Sequence, residues 1–176
     1  MSLSIRNAAE SDIPAITAIY AVEVSDFVNT YEYEVPDEAE MLRRMQDILA
    51  RGFPYLVAEA DGEVVGYAYA GSFRSRAAYH WVVENSVYVA AIAQGRGIGA
   101  ALLQALIDAC QARGFRQMVA VIGDQANLAS RRLHARAGFH PIGTFPGIAW
   151  KHGRWLDTVF MQRPLGAGTA GSPDHD

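Results

Sequence analysis

Length, composition and charge narrow the class of protein before any motif is considered. The chain has 176 residues, of which 51% are hydrophobic and 19% charged, a balance typical of one folded domain with its own core. Fifteen basic and nineteen acidic residues give a net charge of −4, so the charge does not suggest nucleic acid or an anionic membrane as a partner. A single cysteine, Cys110, excludes an intramolecular disulfide framework and a cysteine-rich zinc site.

Apolar runs are short throughout the chain. Val64–Ala70 is among the longest, far below the roughly 18 residues that a membrane-spanning helix needs. The first residues, MSLSIRNAAESD, lack the apolar core of a signal peptide. We therefore expect a soluble cytoplasmic protein with no membrane partner.

Hydrophobic periodicity and turn residues divide the chain into strands and helices. Strands are expected at Leu3–Arg6, Tyr55–Glu59, Val64–Tyr69, Ser86–Val89, Gln117–Ile122, Gly143–Trp150 and Leu156–Gln162. Helices are expected after Ser11 and at Glu38–Arg51, Gly97–Arg113 and Asn127–Ala137. The order of these elements predicts an α+β fold, in which one mixed, mostly antiparallel sheet carries helices on both faces.

The end of the chain divides into a last hairpin and a tail. A loop at Lys151–Trp155 is expected to join the last two strands, with Trp155 buried. Residues 1–165 form the predicted domain. Residues 166–176 are mostly Gly, Ala, Ser, Pro and Asp and have no apolar period, which predicts a disordered tail.

Three glycines lie where a predicted strand passes into the longest helix, in Gln94-Gly95-Arg96-Gly97-Ile98-Gly99-Ala100. Glycine in the first turn of a helix costs about 1 kcal/mol relative to alanine, so a plain turn is a poor explanation. The backbone N–H groups of such a loop can approach an anion closely, and the helix dipole favours phosphate there. The loop therefore predicts a phosphate-binding site.

Two known phosphate-binding patterns match this loop. Its residues formally fit the dinucleotide fingerprint, and Asp124 follows the next strand roughly where a ribose-binding acid would lie. That fingerprint follows its strand immediately, whereas Ala90–Gln94 intervenes here, and too little chain follows for the remaining parallel strands. The other pattern, Gln94-x-x-Gly97-x-Gly99, resembles the pyrophosphate loop of the GCN5-related N-acetyltransferases.

This resemblance covers about residues 3–165. It rests on the loop and on the stretches Gly66–Gly71, Glu84–Val89, Val119–Gly123, Ala137–Phe139 and Lys151–Trp155. Within the superfamily the chain is most similar to the phosphinothricin and methionine-sulfoximine N-acetyltransferases. The resemblance implies the acyl-CoA N-acyltransferase fold, acetyl-CoA as co-substrate, and a homodimer. The five histidines show no ligand spacing for a metal, so none is expected.

The resemblance implies a role for each residue of the cofactor site. The backbone of Val87, Tyr88 and Val89 is expected to pair with the pantetheine arm, and the Val89 N–H to polarise the thioester carbonyl. Pyrophosphate is expected on the loop residues Gln94, Gly95, Arg96, Gly97, Ile98, Gly99 and Ala100. Asn127 and Ser130 match positions that touch the pantetheine arm, although helix capping explains Asn127 equally well.

Two titratable residues are implied in catalysis. Glu84, two residues before its predicted strand, resembles the position of the general base; burial would have to raise its pKa, or it would act through water. The alternative is a surface acid paired with an arginine. His134 takes the helix position where many acetyltransferases carry the tyrosine that protonates the leaving thiolate, and it suits an acid or a base or a structural role. Cys110 is expected in the core, so acetyl transfer is direct within a ternary complex.

The implied acceptor is a small amino acid analogue such as phosphinothricin or methionine sulfoximine or sulfone. Arg74, Arg76 and Tyr79 lie in a stretch resembling the subgroup's substrate loop, and arginine forks suit carboxylate and phosphinate groups; plain surface charges are the alternative. Tyr31 matches an aromatic pocket position usually filled by phenylalanine. Two rival functions remain: transfer to another amine, such as a protein N-terminus, polyamine or aminoglycoside, and a non-catalytic acetyl-CoA-binding sensor.

Overall fold

The structure, a computed structural model, describes residues 2–173. Seven strands form one sheet in the spatial order β1-β2-β3-β4-β5-β7-β6. They are β1 (Leu3–Asn7), β2 (Tyr55–Ala60), β3 (Glu63–Ser72), β4 (Val82–Val89), β5 (Gln117–Gly123), β6 (His140–Lys151) and β7 (Arg154–Pro164). The pairing of β4 with β5 is parallel, and the other five pairings are antiparallel. The predicted mixed, mostly antiparallel sheet is confirmed.

Helices cover both faces of this sheet. They are α1 (Ile13–Asp26), α2 (Glu38–Ala50), α3 (Ile98–Ala112) and α4 (Leu128–Arg136). Alternate residues of β2 belong to two separate cores, because side chains alternate across a strand: Tyr55 and Val57 pack with α1 and α2, whereas Leu56 and Ala58 pack with α3. Cys110 is fully buried in the α3 core, as expected.

Strand β4 begins four residues earlier than the sequence pattern indicates. Its first residues pair with β3 on one side and with β5 on the other, Val82 lying opposite Gln117 and Glu84 opposite Val119. This double pairing extends the strand beyond its apolar core. Glu84 therefore lies inside the strand, and its predicted place before the strand is wrong.

The hairpin of β6 and β7 also departs from expectation. The predicted loop at Lys151–Trp155 is a two-residue turn, His152-Gly153, in which both residues have positive φ (50° and 72°). Trp155, expected to be buried, is 64% exposed. The reason is that β6 is the last strand in the sheet order, so Trp155 stacks edge-on against the exposed Trp150 rather than under a helix.

The predicted tail begins with defined contacts. Arg116 donates from Nε to the Gly168 carbonyl at 2.8 Å and from Nη2 to the Ala170 carbonyl at 2.6 Å. Residues 174–176 lie outside the described part of the chain, so disorder over the whole tail stays a prediction. Within residues 2–173, no helix is both long and apolar enough to cross a bilayer.

Candidate active site

The centre of the sheet opens between its two parallel strands. Strands β4 and β5 pair only as far as Asn85 opposite Ala120. Beyond that point β4 continues along β3 to Val89, and β5 continues along β7 to Gly123. The two strands therefore diverge, and a gap opens between them directly before the glycine loop.

The backbone of β4 turns alternate residues toward this gap. The Ala90 N–H donates to the Val65 carbonyl of β3 at 2.9 Å, and hydrogen-bonded pairs alternate along an antiparallel ladder. Tyr88 therefore exchanges its backbone hydrogen bonds with β3, while the N–H and C=O groups of Val87 and Val89 face the gap. Val87 and Val89 thus have the orientation that pairing with a cofactor arm requires, and a cofactor contact at Tyr88 stays a prediction.

The glycine loop has a conformation that needs glycine. Gly95 and Gly97 have φ values of 73° and 81°, the left-handed region that side chains disfavour, and Gly97 is the residue before α3. The first N–H groups of a helix, here those of Ile98, Gly99 and Ala100, have no intrahelical acceptor. Gln94 donates from Nε2 to the Val89 carbonyl at 3.2 Å, which ties the loop to the open edge of β4.

A cleft of about 260 Å³ continues from the loop toward α1. It is lined on one side by Val89, Ile92 and Gln94 and on the other by Val22 and Phe27. The α1 side of this cleft was not singled out from the sequence, because Val22 in α1 and Phe27 directly after it look like ordinary apolar residues. The cleft, the loop and the gap form one continuous region.

Glu84 lies at the closed end of the gap. It is half-buried, and alternation along β4 places it on the α1 and α2 face with Ser86 and Tyr88. Burial raises the pKa of the Glu84 carboxyl above its ordinary value, and the positive charge of Arg74 acts in the opposite direction. A raised pKa is the condition that a general base for an amine requires.

His134 of α4 lies on the other face of the sheet from Glu84, next to Asn85. It is 5% exposed, and its Nε2 is 2.9 Å from Oδ1 of Asn85 while its Nδ1 is 2.8 Å from the Ser130 carbonyl. The Asn85 amide is oriented by its own donation from Nδ2 to the Val119 carbonyl. Both neighbours of the ring are therefore acceptors, and only a doubly protonated imidazole satisfies both. Burial opposes that charge more strongly and lowers the pKa of His134.

The predicted acceptor residues fall into two groups. Tyr31 lies against the end of β5 and its hydroxyl is hydrogen-bonded to Thr158 of β7. Arg74 lies over the Phe73 ring at 5.1 Å and is close enough to Glu84 to affect its pKa.

Tyr79 and Arg76 flank this pair. Tyr79 packs edge-on against Phe73, with ring centroids 5.9 Å apart. Arg76 is exposed, and its backbone carbonyl accepts from the Tyr79 N–H at 3.0 Å. The structure thus packs Arg74 and Tyr79 against the same Phe73 ring, places Arg74 near Glu84, and gives Arg76 a contact through its backbone.

Asn127 caps the start of α4, and its predicted cofactor contact, like that of Ser130, stays a prediction. Its Oδ1 accepts from the Ser130 N–H at 3.0 Å, and its Nδ2 donates to Oδ1 of Asn29 at 2.8 Å. Asp124 likewise serves the local chain, because it accepts from the Ala126 N–H and pairs with Arg154. A ribose-binding role for Asp124 has no support in this arrangement.

Three buried residues of the site region were missed from the sequence. Asn85 orients His134, Gly123 lies against the α1–α2 connection, and Lys151 is 2% exposed. Of the three, only Asn85, a polar residue directly before the predicted strand Ser86–Val89, gave a signal that could have been used. Among residues 2–173, no three His, Cys, Asp or Glu side chains form a group that could hold a metal ion.

A sheet that opens between its central parallel strands, beside a glycine loop at a helix start, defines the acyl-CoA N-acyltransferase fold predicted above. The chain belongs to the acetyltransferase (GNAT) family, whose model matches residues 16–139. The predicted family and fold class are confirmed, and the protein is an acetyltransferase.

Several relatives match almost the whole chain. It is 46% identical over 171 residues to the phosphinothricin N-acetyltransferase of Alcaligenes faecalis, which covers 97% of this chain and 87% of the relative. It is 44% identical over 167 residues to the L-methionine sulfoximine/L-methionine sulfone acetyltransferase of Pseudomonas paraeruginosa, covering 94% and 96%. The crystal structure of a phosphinothricin acetyltransferase from Sinorhizobium meliloti in complex with AcCoA has a TM-score of 0.96 at 49% identity, covering 99% of this chain and 95% of that one.

Proposed function

We propose that the protein transfers the acetyl group of acetyl-CoA to the amino group of a small amino acid analogue, such as phosphinothricin or methionine sulfoximine or sulfone. The observation that carries this proposal is the half-buried Glu84 at the point where β4 and β5 separate. Relatives named for these substrates match the chain over more than nine tenths of its length. Transfer is direct, in a ternary complex, because the one cysteine is buried in the core.

The cofactor side of the site consists mainly of backbone groups. Acetyl-CoA, when bound, supplies an activated acetyl thioester. The N–H groups of Gly95–Ala100 hold its pyrophosphate, and Val87 and Val89 bind its amide arm through the backbone groups that face the gap. The Val89 N–H then stabilises negative charge on the thioester oxygen, as an oxyanion-hole donor does.

Proton transfer is assigned to Glu84 and His134. The acceptor ammonium must lose a proton before it attacks, and the raised pKa of Glu84 makes its carboxylate a stronger base than an exposed glutamate. The doubly protonated His134, held by the Asn85 and Ser130 oxygens, gives a proton to the leaving thiolate or to a water between them and becomes neutral, the form that its burial favours. Arg74 binds the acceptor's anionic group, and Tyr31 and Tyr79 line its pocket.

The test is a thiol-release assay with acetyl-CoA and a panel of amines. We expect phosphinothricin, methionine sulfoximine and methionine sulfone to be acetylated with the highest kcat/KM. A preference for polyamines, aminoglycosides or peptide N-termini instead would assign the same chemistry to another acceptor. Tight acetyl-CoA binding with no thiol release on any amine would indicate a sensor.

We also propose that the enzyme is a cytoplasmic homodimer. The edge strand β6 is exposed along almost its whole length, and with β7 it presents a set of exposed apolar side chains: Ile142, Phe145, Ile148, Trp150 and Trp155. An apolar surface on a sheet edge favours pairing with a second copy. Sedimentation velocity on the purified protein would test this association.

A further inference from the structure

Lys151, the last residue of β6, is a buried cation that the mechanism above does not use. Its side chain is 2% exposed, and its Nζ donates to two backbone carbonyls, those of Phe27 and Thr30, at 2.8 Å each. Both carbonyls belong to the connection between α1 and α2, which we call the α1–α2 loop (residues 27–32). Lys151 thus joins the far edge of the sheet to a loop near the gap.

The α1–α2 loop is held from several sides besides Lys151. Asn29 donates from Nδ2 to Oε2 of Glu23 at 2.5 Å and accepts from Asn127, the residue that caps α4. The Thr30 hydroxyl lies 2.7 Å from the Tyr20 hydroxyl. These contacts use side chains of the loop. His152 Nε2 also lies 3.3 Å from the Phe27 carbonyl, but Lys151 bonds two loop carbonyls at 2.8 Å and so fixes the path of the chain itself.

The loop matters because of the residue that follows Thr30. Tyr31 lies against the end of β5, beside the gap, and is hydrogen-bonded to Thr158. A change in the position of the Thr30 carbonyl moves the backbone from which the Tyr31 ring extends. The position of that ring therefore depends on the two bonds from Lys151.

The choice of a lysine here is informative. Removing a cation from water is costly, and an apolar side chain of similar volume is often at least as stable at a buried site. Part of the cost is offset by the two carbonyls and by the negative charges of Glu23 and Glu32 nearby. A methionine would fill the same space but would leave the Thr30 carbonyl without this donor and the Phe27 carbonyl with only the longer contact to His152 Nε2, at 3.3 Å.

We infer that Lys151 is a positioning residue for acetyl transfer: it fixes the α1–α2 loop so that Tyr31 forms one wall of the acceptor pocket. This inference rests on the proposed function for the role of Tyr31, but not for the placement of the loop. Lys151 does not touch the reacting atoms, and it acts through the loop backbone.

The test compares Lys151→Met with a matched control, Arg116→Met. Arg116 also donates to two backbone carbonyls, those of Gly168 and Ala170, but it does so at the start of the tail. For Lys151→Met we expect acceptor KM to rise about tenfold or more and kcat to fall by up to about 10²-fold, the cost of displacing a reacting group by about 1 Å. The acetyl-CoA dissociation constant, measured by calorimetry, should change less than about twofold, because Lys151 bonds the α1–α2 loop and not the cofactor loop. Arg116→Met should leave all three values near those of the wild type.

Amide hydrogen exchange on the full-length protein gives a readout that needs no acceptor. Lys151→Met should speed exchange in residues 27–32, and Arg116→Met should not. If acceptor KM and loop exchange both match the wild type in Lys151→Met, the inference is wrong. If the variant does not fold, Lys151→Arg keeps a donor but enlarges it; unchanged acceptor KM and loop exchange in that variant overturn the inference equally.

The same exchange data separate this inference from the proposed function. If the wild type acetylates none of the amino acid analogues, the proposed acceptor is wrong, and faster loop exchange in Lys151→Met still supports the placement of the loop. Acceptor KM is then measured with whichever amine the panel identifies. If instead the analogues are good substrates and Lys151→Met uses them as the wild type does, only the role of Lys151 fails.

Discussion

Gly123, the last residue of β5, offers a sharp test of how closely the α1–α2 loop approaches the sheet. A methyl group added at its Cα would lie 2.4 Å from the Val28 carbonyl oxygen and 3.0 Å from a ring carbon of Tyr31. The backbone φ of Gly123 is not in the left-handed region, so an alanine meets no conformational barrier there. Any effect of Gly123→Ala therefore comes from contact with the loop.

The size of the effect follows from these distances. Contacts under 3.0 Å are essentially never seen for a Cβ atom, so the Val28 carbonyl must retreat from 2.4 Å to at least 3.0 Å, a shift of about 0.6 Å. Overpacking of this kind costs about 1–3 kcal/mol of folding free energy. A displacement of about 1 Å at a reacting group costs roughly 10²-fold in rate, so a shift of this size predicts a loss in acceptor kcat/KM on the order of tenfold.

The assay measures chemical unfolding, acceptor kcat/KM and acetyl-CoA affinity for Gly123→Ala. We expect the first two to fall while the affinity for acetyl-CoA stays within about twofold, because the cofactor loop is a separate contact surface. Gly143→Ala is the control, since its added methyl group meets no atom within 4 Å and its φ is not left-handed. Wild-type stability and kinetics in Gly123→Ala would refute the close approach on which this reasoning depends.

Three further predictions concern catalysis, acceptor binding and association. Glu84→Gln should lower kcat by roughly 10²–10⁴-fold. Because burial raises the pKa of Glu84, kcat/KM of the wild type should fall as the pH drops through a value above 4.5. The pH profile of the Gln variant should lack this acidic decrease. Arg74→Lys keeps the charge but loses the guanidinium fork, so acceptor KM should rise by about 10–100-fold, the equivalent of one charge-assisted hydrogen bond. Arg76→Lys, measured in the same kinetic assay, should change acceptor KM less. A larger effect of Arg76→Lys would assign the acceptor contact to Arg76 instead. Ile148→Asp places a charge in the exposed apolar surface of β6. The sedimentation coefficient should shift from that of a dimer to that of a monomer, while the midpoint of thermal unfolding changes little. A wild-type protein that sediments as a monomer would contradict the proposed dimer.

The sequence by itself determined the order of the elements and the class of chemistry. Strand and helix positions follow from short-range periodicity and turn residues, and such local signals are read correctly over most of the chain. The strands expected at Tyr55–Glu59 and Val64–Tyr69 are an example, since β2 and β3 form there as an antiparallel pair. The glycine loop at Gly95–Gly99 is also local, because positive φ and a helix start are properties of consecutive residues. For this reason the family, the fold and the loop could be predicted.

The tertiary structure decided how distant residues meet at the site. The double pairing of β4 placed Glu84 inside a strand, and the end of that pairing at Asn85 opened the gap that no periodicity reveals. The exposure of Trp155 followed from the place of its hairpin at the sheet edge. Lys151 bonds the Phe27 carbonyl across 124 positions of the chain, and no local pattern encodes such a partner. Burial, pKa and hydrogen-bond partners depend on what packs nearby in space, so they became visible only when the chain was folded.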